Sequence, residues 1–177
     1  MDVAQIRKLL ENHHQESFAW ALRCCGGKHA EAEDLLQSSY LKILEAKARY
    51  RFREASFKTW LFTVIRNTAV DFYRKKMPHV VEINEILYQQ TKHTQSLDNG
   101  QMGLEAQETQ QVFQQILQQL STQQQQVLHL VFYQEMSIEE AAKVMRVTIG
   151  TARTHYERGK KQLRKRLQAA NITRDHL

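Results

Sequence analysis

Proline occurs once in the 177 residues, at Pro78, and glycine six times. All-β folds need many turn residues, so this scarcity excludes a sandwich or barrel of short strands and leaves long helices with few connections. Cysteine occurs twice, as the adjacent pair Cys24 and Cys25, which cannot make a disulfide framework. No apolar run approaches the ~20 residues of a transmembrane helix. The opening MDVAQIRKLLENHHQ lacks the uninterrupted apolar stretch of a signal peptide. The chain therefore reads as soluble and cytoplasmic. It has no Gly-rich phosphate loop, and no nucleophile, base and orienting group stand together in a catalytic motif, so it reads as a non-enzyme without a cofactor. His13, His14, Cys24 and Cys25 invite a metal reading. On one helix, however, His14 and Cys25 would stand about 16 Å apart, and zinc needs its ligands at ~2 Å.

What is present is charge and helical periodicity. Apolar residues make up 42% of the chain, enough for a core. The net charge is +6, and it is unevenly spread. Residues 1–77 hold 14 basic and 9 acidic side chains, residues 78–110 hold 1 and 5, and residues 111–177 hold 10 and 5. Two basic blocks thus flank an acidic connector. Basic blocks suit a polyanion partner, because cations set near phosphates release counterions; they equally suit solvated helix faces. Composition leaves both readings open.

The apolar spacing predicts an all-α protein of two small helical domains joined by a flexible linker: residues 1–77, a linker over 78–104, and 105–177. In the first domain, helices are expected over Val3–Cys24, closed by Gly26-Gly27, over Ala30–Ala48, and from a Ser56 cap to about Lys76, where Pro78 stops it. The linker carries the proline, an Asn-Gly pair and Gly103, with a short helix expected near Ile83–Tyr88. The Gln-rich stretch from Gln107 to Gln126 keeps Val112, Phe113, Ile116, Leu117 and Leu120 at helical spacing, so it reads as a helix with a polar outer face. Ser121 with Gln124 and Ser137 with Glu140 fit capping boxes, opening helices at about 122–134 and 138–145. Thr148 caps a last helix, Ile149–Ala170.

A helix of about eight residues, a short turn and a longer basic helix form the helix-turn-helix layout. Ala142 and Ala152 sit where the two helices cross. In such a unit the first turns of the second helix meet base edges and flanking cations hold phosphates. Arg153 and Thr154 lie in that first part, Arg158 points further round, and Lys161, Arg164 and Lys165 can follow a backbone strand.

The stretch LSTQQQQVLHLVFYQEMSIEEAAKVMRVTIGTARTHYERGKKQLRKRL resembles region 4 of bacterial sigma factors. AEDLLQSSYLKILEAKARYRFREASFKTWLFTVIRNTAVDFYRKK resembles region 2. In order and well spaced, the two resemble an extracytoplasmic-function (group IV) sigma factor of the sigma-70 family. The resemblance implies that Asp34, Leu35, Gln37 and Leu41 dock on the polymerase clamp; read bottom-up, Leu35 and Leu36 cannot both face one way on a helix, and Leu36 is the better core residue. It implies a minus-10 element bound by Phe52, Arg53, Lys58, Phe62, Arg66 and Asn67, with Phe52, Phe62 and Asn67 forming a pocket for a flipped base and Arg49 and Arg51 adding charge. Phe62 equally fits core packing, and Trp60 reads as core. It implies a minus-35 element read by Arg153, Thr154 and Arg158, with Thr151 and Lys160 at phosphates. Three residues depart from the family pattern. Arg146 stands where the turn usually has Gly. Glu157 replaces an aromatic or His. Gly159 replaces Ala, a change that weakens an isolated helix by ~1 kcal/mol.

The implied partners are core RNA polymerase, promoter DNA and an anti-sigma factor. A DNA-binding regulator would share the helix-turn-helix without a reason for AEDLLQ, and a sequestering helical module would not need the basic helix.

Overall fold

The computed structural model describes residues 2–45, 55–76, 112 and 115–170. The described residues form seven α-helices with defined ends, a helical stretch at 115–118 within the Gln-rich segment, and one π-helical turn, with no strand among them. The first four helices are α1 (Val3–Asn12), α2 (His14–Cys24), α3 (His29–Leu44) and α4 (Phe57–Lys76). Then come α5 (Thr122–Leu128), the π-turn His129–Tyr133, α6 (Ile138–Met145) and α7 (Ile149–Ala169). The expected linker, and the helix expected near Ile83–Tyr88, lie outside the described residues.

Local chemistry sets most of the boundaries. Ser121 and Ser137 open α5 and α6 with the reciprocal capping boxes expected from Gln124 and Glu140. Thr148 Oγ1 accepts the Thr151 amide at 3.1 Å and starts α7. Gly26 and Gly27 close α2 with φ of 61° and 84°, a region glycine enters without a Cβ clash. Ser56 Oγ accepts from the Thr59 amide at 3.2 Å at the head of α4.

Three boundaries differ from expectation; one is the end of α3, which stops at Leu44 with Glu45 already outside the helix at ψ 10°, where the expected helix ran to Ala48. The single helix expected over Val3–Cys24 is broken at His13, whose φ of −105° and ψ of 13° leave the helical region. The His13 ring turns to Glu16 Oε2 at 2.7 Å and stacks on Phe57, so a tertiary contact competes with helix continuity. The helix expected over 122–134 leaves α geometry at His129, where the Gln134 amide reaches back five residues to the His129 carbonyl at 3.2 Å.

The core runs without interruption from one half of the molecule to the other. Trp20, Leu61, Phe62 and Ile65 share a cluster with Val127, Leu130, Ala141 and Val144, all buried. Trp20 holds the centre: its indole Nε1 donates to the Phe62 carbonyl at 3.1 Å, and one ring face stacks on Phe62, the rings only 6° apart. His129, from the π-turn, also stacks on Trp20 at 5.6 Å. Around this apolar centre α4 and α6 exchange polar bonds. Glu140 Oε1 accepts from Thr59 Oγ1 at 3.1 Å and from Ser56 Oγ at 3.4 Å, while Glu140 Oε2 accepts the Ser137 amide that caps its own helix. Lys58 Nζ donates to the Gln134 carbonyl at 2.9 Å and pairs with Glu16 at 2.8 Å.

Candidate nucleic-acid and partner interfaces

The helix-turn-helix is built on small residues. Ala142 and Ala152 are both buried, so α6 and α7 approach closely where they cross. Between them Arg146 takes the left-handed conformation, φ 56° and ψ 45°, which explains why a glycine is at ease in that turn. Gly159 has a packing role that its helix propensity hides. A Cβ there would lie 3.1 Å from Gln124 Cβ and 3.2 Å from Leu128 Cδ1, so its absence seats α7 on α5.

Thr151, Arg153, Thr154 and Arg158 are exposed on the first turns of α7. Neither Arg153 nor Arg158 has an ion-pair partner among the described residues. Thr151 and Thr154 partly serve their own helix, Thr151 in the cap and Thr154 Oγ1 by donating to the Gly150 carbonyl at 2.9 Å. Lys160 is half-buried; it pairs with Glu157 at 3.3 Å and lies 4.9 Å from the centre of the Tyr156 ring.

On α3, Asp34, Gln37 and Leu41 share the exposed outer face, at i, i+3 and i+7. Leu41 is 52% exposed, high for a leucine. Leu35 is different: it is 3% exposed, and Leu36 is 4% exposed. Adjacent leucines are both buried because α3 packs against α1, α2 and α4, so two helix faces are covered at once. The Leu35 side chain is therefore a core group here and not an exposed docking group.

The residues expected at the minus-10 element are divided. Phe52 and Arg53, with Arg49 and Arg51, lie outside the described residues. Phe62 is fully buried against Trp20 and packs as core. Trp60, expected in the core, is only half-buried at its edge. Lys58 is tied to Glu16 and Gln134 as described. Arg66 is 5% exposed, and burial, with Arg146 nearby, lowers its pKa from the ordinary value. Asn67, half-buried, accepts from Arg146 Nη1 at 3.5 Å. The C-terminal half thus covers the face of α4 on which Lys58, Arg66 and Asn67 stand. Sequence reasoning missed Gln134, Glu140 and His129, which join the halves; the only sign was the Ser137–Glu140 capping pair.

Burial pushes the Cys25 thiol up to about 11 and the Cys24 thiol higher still, so both stay protonated at neutral pH. Among the described residues no three His, Cys, Asp or Glu side chains gather where they could hold a metal, and no helix is long and apolar enough to cross a membrane.

Two family models match the chain in order: Sigma-70 region 2 over residues 9–78, which takes in the α3 face and α4, and Sigma-70, region 4 over residues 110–163, which takes in the helix-turn-helix. The chain belongs to the sigma-70 family and is a sigma factor. Two curated relatives match it over most of their own length. The ECF RNA polymerase sigma factor SigX of Bacillus subtilis is 28% identical over 90% of this chain and 82% of its own. The RNA polymerase sigma factor YlaC of the same organism is 28% identical over 92% of this chain and 91% of its own. Among solved structures, the sigma factor RpoE of Bartonella quintana, crystallised with the anti-sigma factor NepR, superposes with a TM-score of 0.68 at 23% identity. That match covers 93% of this chain and 97% of RpoE, and it shows a shared fold.

Proposed function

We propose that this sigma factor is an extracytoplasmic-function, group IV member that works in the cytoplasm as a non-enzymatic specificity subunit of core RNA polymerase. The exposed face of α3 (Asp34, Gln37 and Leu41) meets the polymerase. Arg153, Thr154 and Arg158 read the minus-35 element in the major groove, with Thr151 and Lys160 at the flanking phosphates. Lys58, Arg66 and Asn67, with Phe52 and Arg53, engage the minus-10 strand. An anti-sigma factor holds the protein inactive until a signal releases it.

The observation that carries this reading is the pair Arg153 and Arg158 on α7, exposed and without ion-pair partners among the described residues. Two guanidinium groups stand exposed at the start of a helix whose base is capped and packed, as a major-groove reader requires. The covered face of α4 adds an order of events: the halves part before the minus-10 contacts form.

The test is a pull-down of the purified protein with bacterial core polymerase, followed by transcription from a genomic fragment library. Core binding with a restricted set of initiated transcripts supports the reading. Sequence-specific duplex binding by the protein alone, without core binding, overturns it in favour of a regulator. Within the reading, Asn67→Ala is expected to impair promoter opening, measured by permanganate footprinting, while core binding stays intact.

A further inference from the structure

A cavity of about 540 Å³ lies where the two halves meet, between α4 and the α6–α7 turn. Three guanidinium groups line it: Arg66 and Arg74 from α4 and Arg146 from the turn. Asn67 supplies a carboxamide and Asp71 the one carboxylate. That carboxylate already pairs with Lys42 at 3.3 Å. Neither Arg74 nor Arg146 has a carboxylate partner among the described residues, and the Arg146–Asn67 bond, at 3.5 Å, sits at the outer limit of hydrogen bonding. Arg66 is 95% buried by its 5% exposure, and its Nε meets no acceptor among the described residues. Arg66 and Arg146 are near enough to repel, which, after burial, helps lower the Arg66 pKa. Arg74 and Arg146 are exposed at the mouth of the cavity and Arg66 is buried behind them, so the desolvation cost falls on Arg66, and an anion held by all three offsets it.

We propose that this cavity is a binding site for a small phosphorylated anion, of the free phosphate or oligophosphate class, that bridges the two halves and holds them together. Guanidinium forks match phosphate oxygens in pairs, the Asn67 amide nitrogen is left to donate a further bond, and the volume suits a small molecule. Phosphates of a DNA strand share this chemistry, but a strand reaches these groups only after the α6–α7 turn moves away. The two sources therefore act in opposite senses: a free phosphate compound favours the packed halves, and DNA favours parted ones. That the bound anion restrains promoter opening rests on the role proposed for α4; the binding does not.

The test uses the full chain without polymerase, so its failure is separate from failure of the core pull-down. Pyrophosphate is titrated by calorimetry at constant ionic strength, and the radius of gyration is followed by X-ray scattering. One saturable site is expected, with a radius unchanged or smaller on binding. Arg146→Gly places the residue most at ease with a positive φ in the turn, so the fold is kept while the guanidinium is lost. This variant and Arg74→Gln are each expected to weaken binding about tenfold or more. A Lys165→Gln, Arg166→Gln pair on α7 is expected to leave it unchanged. A single-stranded DNA oligonucleotide is expected to raise the radius and to compete with pyrophosphate. The proposal is overturned by the absence of saturable binding, by a loss that follows the α7 pair and not Arg146, or by a radius that grows when pyrophosphate binds.

Discussion

Leu35 and Leu41 lie six positions apart on one helix and do opposite things. Leu35 fills the space between α3 and its neighbours, whereas Leu41 is bare to solvent. Truncation separates the roles. Leu35→Ala is expected to lower stability by about 2–5 kcal/mol in chemical denaturation. Leu41→Ala is expected to leave the unfolding midpoint nearly unchanged and to weaken capture by core polymerase; a Leu41 variant that binds core normally removes α3 from the interface. Arg153 lends itself to a similar separation. Its loss to Ala is expected to relax minus-35 discrimination by about 1–3 kcal/mol in competition binding of holoenzyme to matched and mismatched promoters. A uniform loss on every sequence would make it a phosphate contact. At this scale, legibility in the sequence followed locality. Ser121, Ser137 and Thr148 act on amides three residues away, so their caps could be read directly. The burial of Phe62 depends on Trp20, 42 residues distant, and no periodicity within α4 reports it.

Among the elements, those bounded by strong local signals were the ones foreseen: α4, α6 and α7 have the starts that their capping residues imply. The break at His13 and the π-turn at His129 were not, because histidine is no helix breaker and both departures serve rings packed from elsewhere in the fold. The α5–α7 contact likewise looked like a weakness in the sequence and is a fit in the structure. At Gly159 the helix gives up intrinsic propensity so that Gln124 and Leu128 can close over it. Gly159→Val is therefore expected to destabilise by about 1–3 kcal/mol from overpacking, beyond any change in helix propensity, as read by thermal unfolding of the variant against wild type.

For the molecule as a whole, the seam between the halves governs behaviour in acid. Burial, then Arg23 and Lys58, push the His129 imidazole down to about 3 from its ordinary value near 6.5. The neutral ring accepts from Gln134 Nε2 at 3.2 Å and stacks between Trp20 and Tyr133. An exposed His129 takes up a proton below pH 6.5 that the packed one refuses. Stability is therefore whole above that pH and falls as pH drops toward 3, by at most ~1.4 kcal/mol per pH unit. Glu16 and Glu140 lose their contributions only below about 4.5, since hydrogen bonds outweigh burial and hold both below that ordinary value. His155 is also held below its ordinary value, by burial and then Arg158, so it too contributes a loss as pH falls below 6.5. The His129 share is thus the difference between wild type and His129→Gln in urea midpoints from pH 7 to 5. The variant is expected to show the shallower slope; parallel slopes would remove His129 as the cause.

Glu140 divides its two oxygens between two tasks, one toward the start of its own helix and one toward α4. In the opening proposed above, the second oxygen exchanges Thr59 and Ser56 for water, and the first keeps its place at Ser137. The helix-turn-helix consequently arrives at DNA already folded, with its reading helix intact. On that reading, release of the C-terminal half is a rigid displacement, of the class that runs in about microseconds to milliseconds, and the response of this sigma factor need not wait for a domain to refold.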